Sequence, residues 1–188
     1  MNCRGFTLIE LTLVIVILGV LATVVAPKFI DITDDAQLKT LLTMKGAIKS
    51  AETLVALDIT LNPERLERLN NNNDGFTLDN GQRIIVRGKL PDGRWNNTFR
   101  YLVNFESIEQ VQRNGCDSST ATWCVTQRGG NWFNSRGYPG TQGRGFVIYP
   151  QGKDVVDDSC YVFYLNQNNT ATPAVVLPSI VAHNFTDC

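Results

Sequence analysis

The polarity pattern divides this chain into three stretches. From Leu11 to Ala26 there is no charged residue, and apolar side chains dominate every face that a helix over this stretch would present. A helix from Phe6 to Pro27 would measure about 33 Å, against about 30 Å for the hydrocarbon core of a bilayer. One carboxylate, Glu10, interrupts the start of the run, where a charge in lipid is costly unless it is paired. Past Pro27 the pattern becomes amphipathic. Leu41, Met44, Ile48, Ala51 and Val55 recur at three and four residues, with Lys39, Lys45, Lys49 and Glu52 between them. The two stretches predict a single helix from Phe6 to about Ile59, stopped at Asn62-Pro63. The following "PERLERL", with Pro63 in its first turn, predicts a short second helix.

After Asn70 the pattern is that of strands. Phe76 to Leu78 and Gln82 to Arg87 flank the turn Asp79-Asn80-Gly81 and predict a hairpin. Further strands are expected at Phe99 to Phe105, Thr122 to Thr126, Gly145 to Tyr149, Cys160 to Leu165 and Ala174 to Val181. A helix followed by strands gives an α+β fold class: a long N-terminal α-helix whose apolar stripe lies on an antiparallel β-sheet.

Composition narrows the function. A formal net charge of -1 with no basic stripe gives no attraction to nucleic acid, which is not expected as a partner. Cys3 precedes the apolar run, while Cys116, Cys124, Cys160 and Cys188 lie far beyond it. A cut within the first few residues would leave an even four, without metal-type spacing, which favours two disulfides in an oxidising compartment. Three connectivities are open. Pairing sequence neighbours gives Cys116 with Cys124 and Cys160 with Cys188, worth about 2.5 and about 3.6 kcal/mol in the loop-entropy account. His183 is the only histidine and no catalytic motif accompanies it, so the chain is not expected to be an enzyme, and no cofactor is expected.

The segment Gly5-Phe6-Thr7-Leu8-Ile9-Glu10, followed by the apolar helix, resembles the class III signal of type IV prepilins and related pseudopilins. The leader Met1-Asn2-Cys3-Arg4-Gly5 ends in glycine after a basic residue, and the new first residue would be phenylalanine, as in the type IVa branch. The resemblance implies that a prepilin peptidase cuts after Gly5 and methylates Phe6. It also implies that Glu10 pairs with the terminal amine of a neighbouring subunit in a helical filament of identical chains. Gly19 and Pro27 match places where the family's helices bend or melt. The physical reason is independent: glycine weakens helix propagation, and proline removes a donor and crowds the preceding turn.

The stretch from Ala26 to Val55 is most similar to mannose-sensitive haemagglutinin pilins of Gram-negative bacteria. By resemblance, the chain has a leader at 1–5, a transmembrane and filament-core helix at 6–27, its amphipathic continuation at 28–60 and a β-rich globular region at 61–188. It would sit in the inner membrane, its C-terminal region periplasmic, until the pilus assembly machinery draws it into an extracellular fimbrium. The rival within the family is a pseudopilin of a type II secretion system. A membrane-anchored periplasmic enzyme is the rival of another class. A secretory signal peptide fits the apolar run less well, because the run is long and Pro27 would follow the cut.

Two polar segments invite a chemical reading. Asn70, Asn72, Asp74 and Gly75 fit the first half of a calcium loop, but Gly81 stands where a bidentate glutamate is needed, so a polar turn and no metal is expected. Trp132, Arg136 and Tyr138 are a candidate receptor surface for a glycan or a host or abiotic surface, with Arg128 and Arg144 nearby. The alternative is that these aromatics anchor a long loop to the sheet. Two disulfides would also depart from the single C-terminal bridge of many type IVa pilins, which weakens any transfer of that family's receptor loop.

Overall fold

The computed structural model describes residues 7–70, 72–112, 115–139 and 142–188, the side chains of 24, 26–33, 117 and 118 excepted. The leader 1–5 and Phe6, where cleavage and methylation are expected, lie outside them. The chain divides into two compact units, Met1–Lys39 and Thr40–Cys188.

In the first unit the described residues belong almost wholly to helix α1, Leu8–Leu61, which continues into the second unit. Among the described residues no helix is long and apolar enough to cross a membrane. The span expected from Phe6 to Pro27 begins outside them.

The second unit is α+β. Its part of α1 is followed by a 3-10 turn at Pro63–Arg65 and by two sheets. The first sheet runs β1 (Leu66–Asn70), β2 (Asn73–Thr77), β3 (Arg83–Arg87) and β4 (Leu90–Pro91), all antiparallel. The second runs β5 (Ile108–Gln110), β6 (Trp123–Gly129), β7 (Arg144–Pro150), β8 (Cys160–Asn166) and β9 (Ile180–Phe185). Its β5–β6 pair is parallel and the others are antiparallel. A short helix α2, Gly130–Asn134, joins β6 to the segment leading into β7.

Period-two alternation in β7 and β8 builds two apolar layers. Phe146, Ile148, Val162 and Tyr164 face Leu41, Met44 and Ile48 of α1, with Trp95 and Phe99 filling the gap. Val147, Tyr149, Phe163 and Leu165 face the other way, against Phe133 of α2. Every residue of β8 is buried, which is why "CYVFYLN" reads as an almost continuous apolar run. Val55 and Ile59 of α1 close a third cluster with Phe76, Ile84 and Val86 of the first sheet. The whole predicted stripe, from Leu41 through Val55, is buried. Each large side chain so covered stabilises by about 1.5–3 kcal/mol.

The expected helix in "PERLERL" is instead one 3-10 turn followed by strand β1. Leu66 packs with Phe76 in the third cluster, and Arg65 donates to the Thr77 carbonyl and pairs with Asp58, so tertiary contacts override local propensity. Phe99 to Phe105 is not a strand. Phe99–Tyr101 is a 3-10 turn whose Phe99 ring packs 4.4 Å from Tyr164 and 4.8 Å from Phe146. The last strand starts at Ile180, not Ala174, because Asn168 takes both the N–H and the carbonyl of Leu177 and Pro178 offers no donor. Asn70 ends β1 and Asn73 begins β2: Asn70 Oδ1 accepts from the Asn72 and Asn73 N–H groups, and Asp74 pairs with Arg68. A single antiparallel sheet was expected and two sheets, one of them mixed, are found, because the 3-10 turn and the segment after Leu102 separate the hairpins.

Candidate assembly site

Thr7 and Glu10 begin α1. The Thr7 N–H and hydroxyl both donate to Glu10 Oε2, at 2.9 and 2.8 Å, and the Glu10 N–H reaches back to Thr7 Oγ1 at 3.3 Å. This is a capping box, satisfying helix-end donors reciprocally, with the carboxylate close to the positive end of the helix. The T-x-x-E spacing of Thr7 and Glu10 is its signal in the sequence. No hydrogen bond to Glu10 Oε1 occurs among the described residues, so that oxygen is open to a further donor.

On both sides of Glu10 in the sequence the helix exposes apolar side chains all round. Leu8 is 80%, Ile9 75%, Val16 61% and Val20 62% exposed. The helix continues through Gly19 and Pro27 without interruption, and a Cβ at Gly19 would meet nothing within 4 Å. In the second unit a smaller apolar ridge, Leu54, Leu57 and Leu61, lies beside the buried stripe and borders a groove of about 360 Å³ with Leu78 and Leu102.

The other residues singled out in the sequence lie far along the chain. Arg136 sits with its guanidinium carbon 3.8 Å from the Trp132 ring centroid and donates to the Val155 carbonyl at 3.0 Å. Tyr138 lies 4.6 Å from Phe163, edge on, and burial pushes its phenol up. Trp132 and Tyr138 pack on Tyr161 and Phe163 of β8, while Arg136 ties Trp132 to the β7–β8 connection. Cys116 is bonded to Cys124 and Cys160 to Cys188, with Cα atoms 5.7 and 4.9 Å apart. His183, on β9, meets Lys45 Nζ at 2.9 Å through Nδ1 and stacks on Phe185, and burial first and Lys45 second hold its imidazole below the ordinary range. Among the described residues no group of metal-ligating side chains gathers.

The prokaryotic N-terminal methylation motif matches residues 1–26, which brackets Glu10 and the exposed apolar helix. The type IV narrow pilus major component PilA5 of Thermus thermophilus is 40% identical over 57 residues, 30% of this chain and 49% of that protein. The match therefore spans about half the length of that relative. The type II secretion system core protein G of Pseudomonas aeruginosa is 33% identical over 113 residues, 53% of this chain and 72% of that protein. No solved structure matches the chain. With the methylation motif in front, an exposed apolar helix behind it, and similarity across most of the length of a secretion core protein, the chain belongs to the type IV pilin family.

Proposed function

We propose that this chain is the structural subunit of a type IV pilus of the mannose-sensitive haemagglutinin kind, used for surface attachment. In this reading a prepilin peptidase cuts after Gly5 and methylates Phe6, and the apolar segment 6–27 holds the subunit in the inner membrane before assembly. The observation that carries the proposal is the exposed apolar surface of α1 from Leu8 to Val20, every large apolar side chain of which is at least 46% accessible. Identical helices packed head to tail cover one another, and because that contact does not close on itself it propagates into a filament.

Glu10 fits that assembly with one refinement. Its Oε2 is held by Thr7, which lowers the cost of a carboxylate among apolar side chains, while Oε1 faces no donor of its own helix. A neighbour's terminal amine can pair there without dismantling the cap. Bends or local melting at Gly19 and Pro27 would let the helices settle against one another.

Pilus and secretion pseudopilin share this chemistry, and the identity to the secretion core protein favours the second reading. One feature supports the pilus: about half of this chain lies outside that match. Electron microscopy of sheared surface filaments from a deletion strain, with mass spectrometry of the filament protein, tests the choice. Filaments that vanish on deletion and contain this chain beginning at methylated Phe6 are expected. Unchanged filaments together with a secretion defect would assign the pseudopilin role.

A further inference from the structure

A second site lies in the Thr40–Cys188 unit, on a cleft of about 450 Å³ lined by Arg94, Arg128, Arg144, Trp132 and the amides of Gln127, Asn131 and Gln142. The cleft wall contains three arginines and no carboxylate, in a chain whose net charge is -1. Two of those guanidiniums, Arg94 and Arg128, are held in place. Arg94 pairs at 3.3 Å with Asp92, whose side chain is fully buried and which Arg87 meets at 3.3 Å from behind. Arg128 lies 5.7 Å from the centre of the Trp132 ring. Arg144 opens β7 and is exposed, close enough to bias both Arg87 and Asp92.

The floor is set by backbone in close approach. A Cβ at Gly93 would lie 1.8 Å from the Arg144 carbonyl oxygen, and one at Gly143 2.5 Å from that of Asn166, so neither position admits a side chain without moving a strand. Three arginines beside a Trp ring, with the exposed amide side chains of Gln127, Asn131 and Gln142 among the lining and backbone in close approach beneath, suit an anionic, hydroxyl-rich ligand.

We propose that this cleft binds a carboxylate-bearing sugar residue of an acidic polysaccharide. Arg128 and Arg144 would take the carboxylate by charge-assisted hydrogen bonds. Gln127, Asn131 and Gln142, each able to donate and accept, match the hydroxyls of a pyranose. The volume suits one or two sugar rings and excludes a nucleic acid duplex, which needs a basic stripe that the chain lacks. Trp132 positions Arg128 and Arg136 and is itself partly buried, so it is a positioning residue here. The site belongs to the globular unit alone, so it stands whether the family role is pilus or pseudopilin.

The test is binding of tri-galacturonate to the full chain in detergent micelles, against its methyl-esterified form, inorganic phosphate and a DNA duplex. Saturable binding of the acid is expected, with the neutral ester at least about tenfold weaker. Arg144→Gln and Arg128→Gln should each weaken the acid about tenfold, while Arg100→Gln, the same charge change outside the cleft, should not. Should Arg128→Gln also lower thermal stability, the exposed Arg144 decides. Equal binding of acid and ester, phosphate or duplex binding as tight as the trisaccharide, or indifference to Arg144→Gln overturns the proposal. None of those results bears on filament formation, which is tested at Glu10.

Discussion

Helix α1 meets two different environments along one continuous run of backbone. In the Thr40–Cys188 unit its apolar positions form one stripe, and Leu41, Met44, Ile48 and Val55 are all covered by the chain's own sheets. In the Met1–Lys39 unit the apolar positions go all the way round, and those described from Leu8 to Leu21 are exposed. The first pattern is self-sufficient and the second requires cover from outside the chain, by lipid or by other helices. Periodicity therefore separates the part of a helix that its own domain covers from the part that its own domain leaves exposed.

The contrast breaks most sharply on large-to-small changes. Phe146→Ala, on β7 where it faces α1, should cost about 3–5 kcal/mol and unfold the globular unit in denaturant titrations. Leu13→Ala, in the exposed run, should leave that transition within about 0.5 kcal/mol while weakening retention in the membrane fraction. If both variants shifted the denaturation midpoint equally, the division of labour would be wrong.

Next in size are the disulfides. Cys160→Ser with Cys188→Ser should destabilise the globular unit by about 3.6 kcal/mol, and the Cys116–Cys124 pair by about 2.5, read as shifts in thermal unfolding. The longer loop should therefore show the larger shift. At the start of α1, Thr7→Val should remove the cap at a cost of about 1 kcal/mol, seen as loss of amide protection in the first turn and none in the globular unit.

The smallest effect expected is on pH dependence. Because burial and Lys45 depress the His183 imidazole below its ordinary value of 6.5, the folded form favours the neutral ring. Its contribution to stability is present above the unfolded value and is lost as pH falls from there through the folded value. His183→Asn should flatten that acidic decline slightly, in unfolding measured across the pH range.

The sequence exposed the helix, its stripe, the β2–β3 hairpin and the central strands because each of these keeps a single period over its length. It misled at Phe99 to Phe105, where aromatic residues alternate as a strand would but Phe99 is drawn into the core between Phe146 and Tyr164. It misled again after Arg65, where a helix-forming composition yields to pairing with β2. Glu10 was legible as a candidate because it stands out in an apolar run, whereas Thr7, which caps the helix with it, is ordinary in composition and informative only by its spacing. The arginine cleft was only partly visible: Arg128 and Arg144 flank one segment, but Arg94 and Asp92 come from the β4 end of the other sheet, and only the fold brings the two together.

The account turns on the exposed half of α1 being an assembly surface whose register is set by Glu10. A strain whose sole pilin carries Glu10→Ala, with the subunit level in the membrane checked by immunoblot, measures this directly when sheared filaments are counted by electron microscopy. The account predicts normal amounts of membrane subunit and a near-complete loss of filaments. Filaments of wild-type number and length from that strain would contradict it.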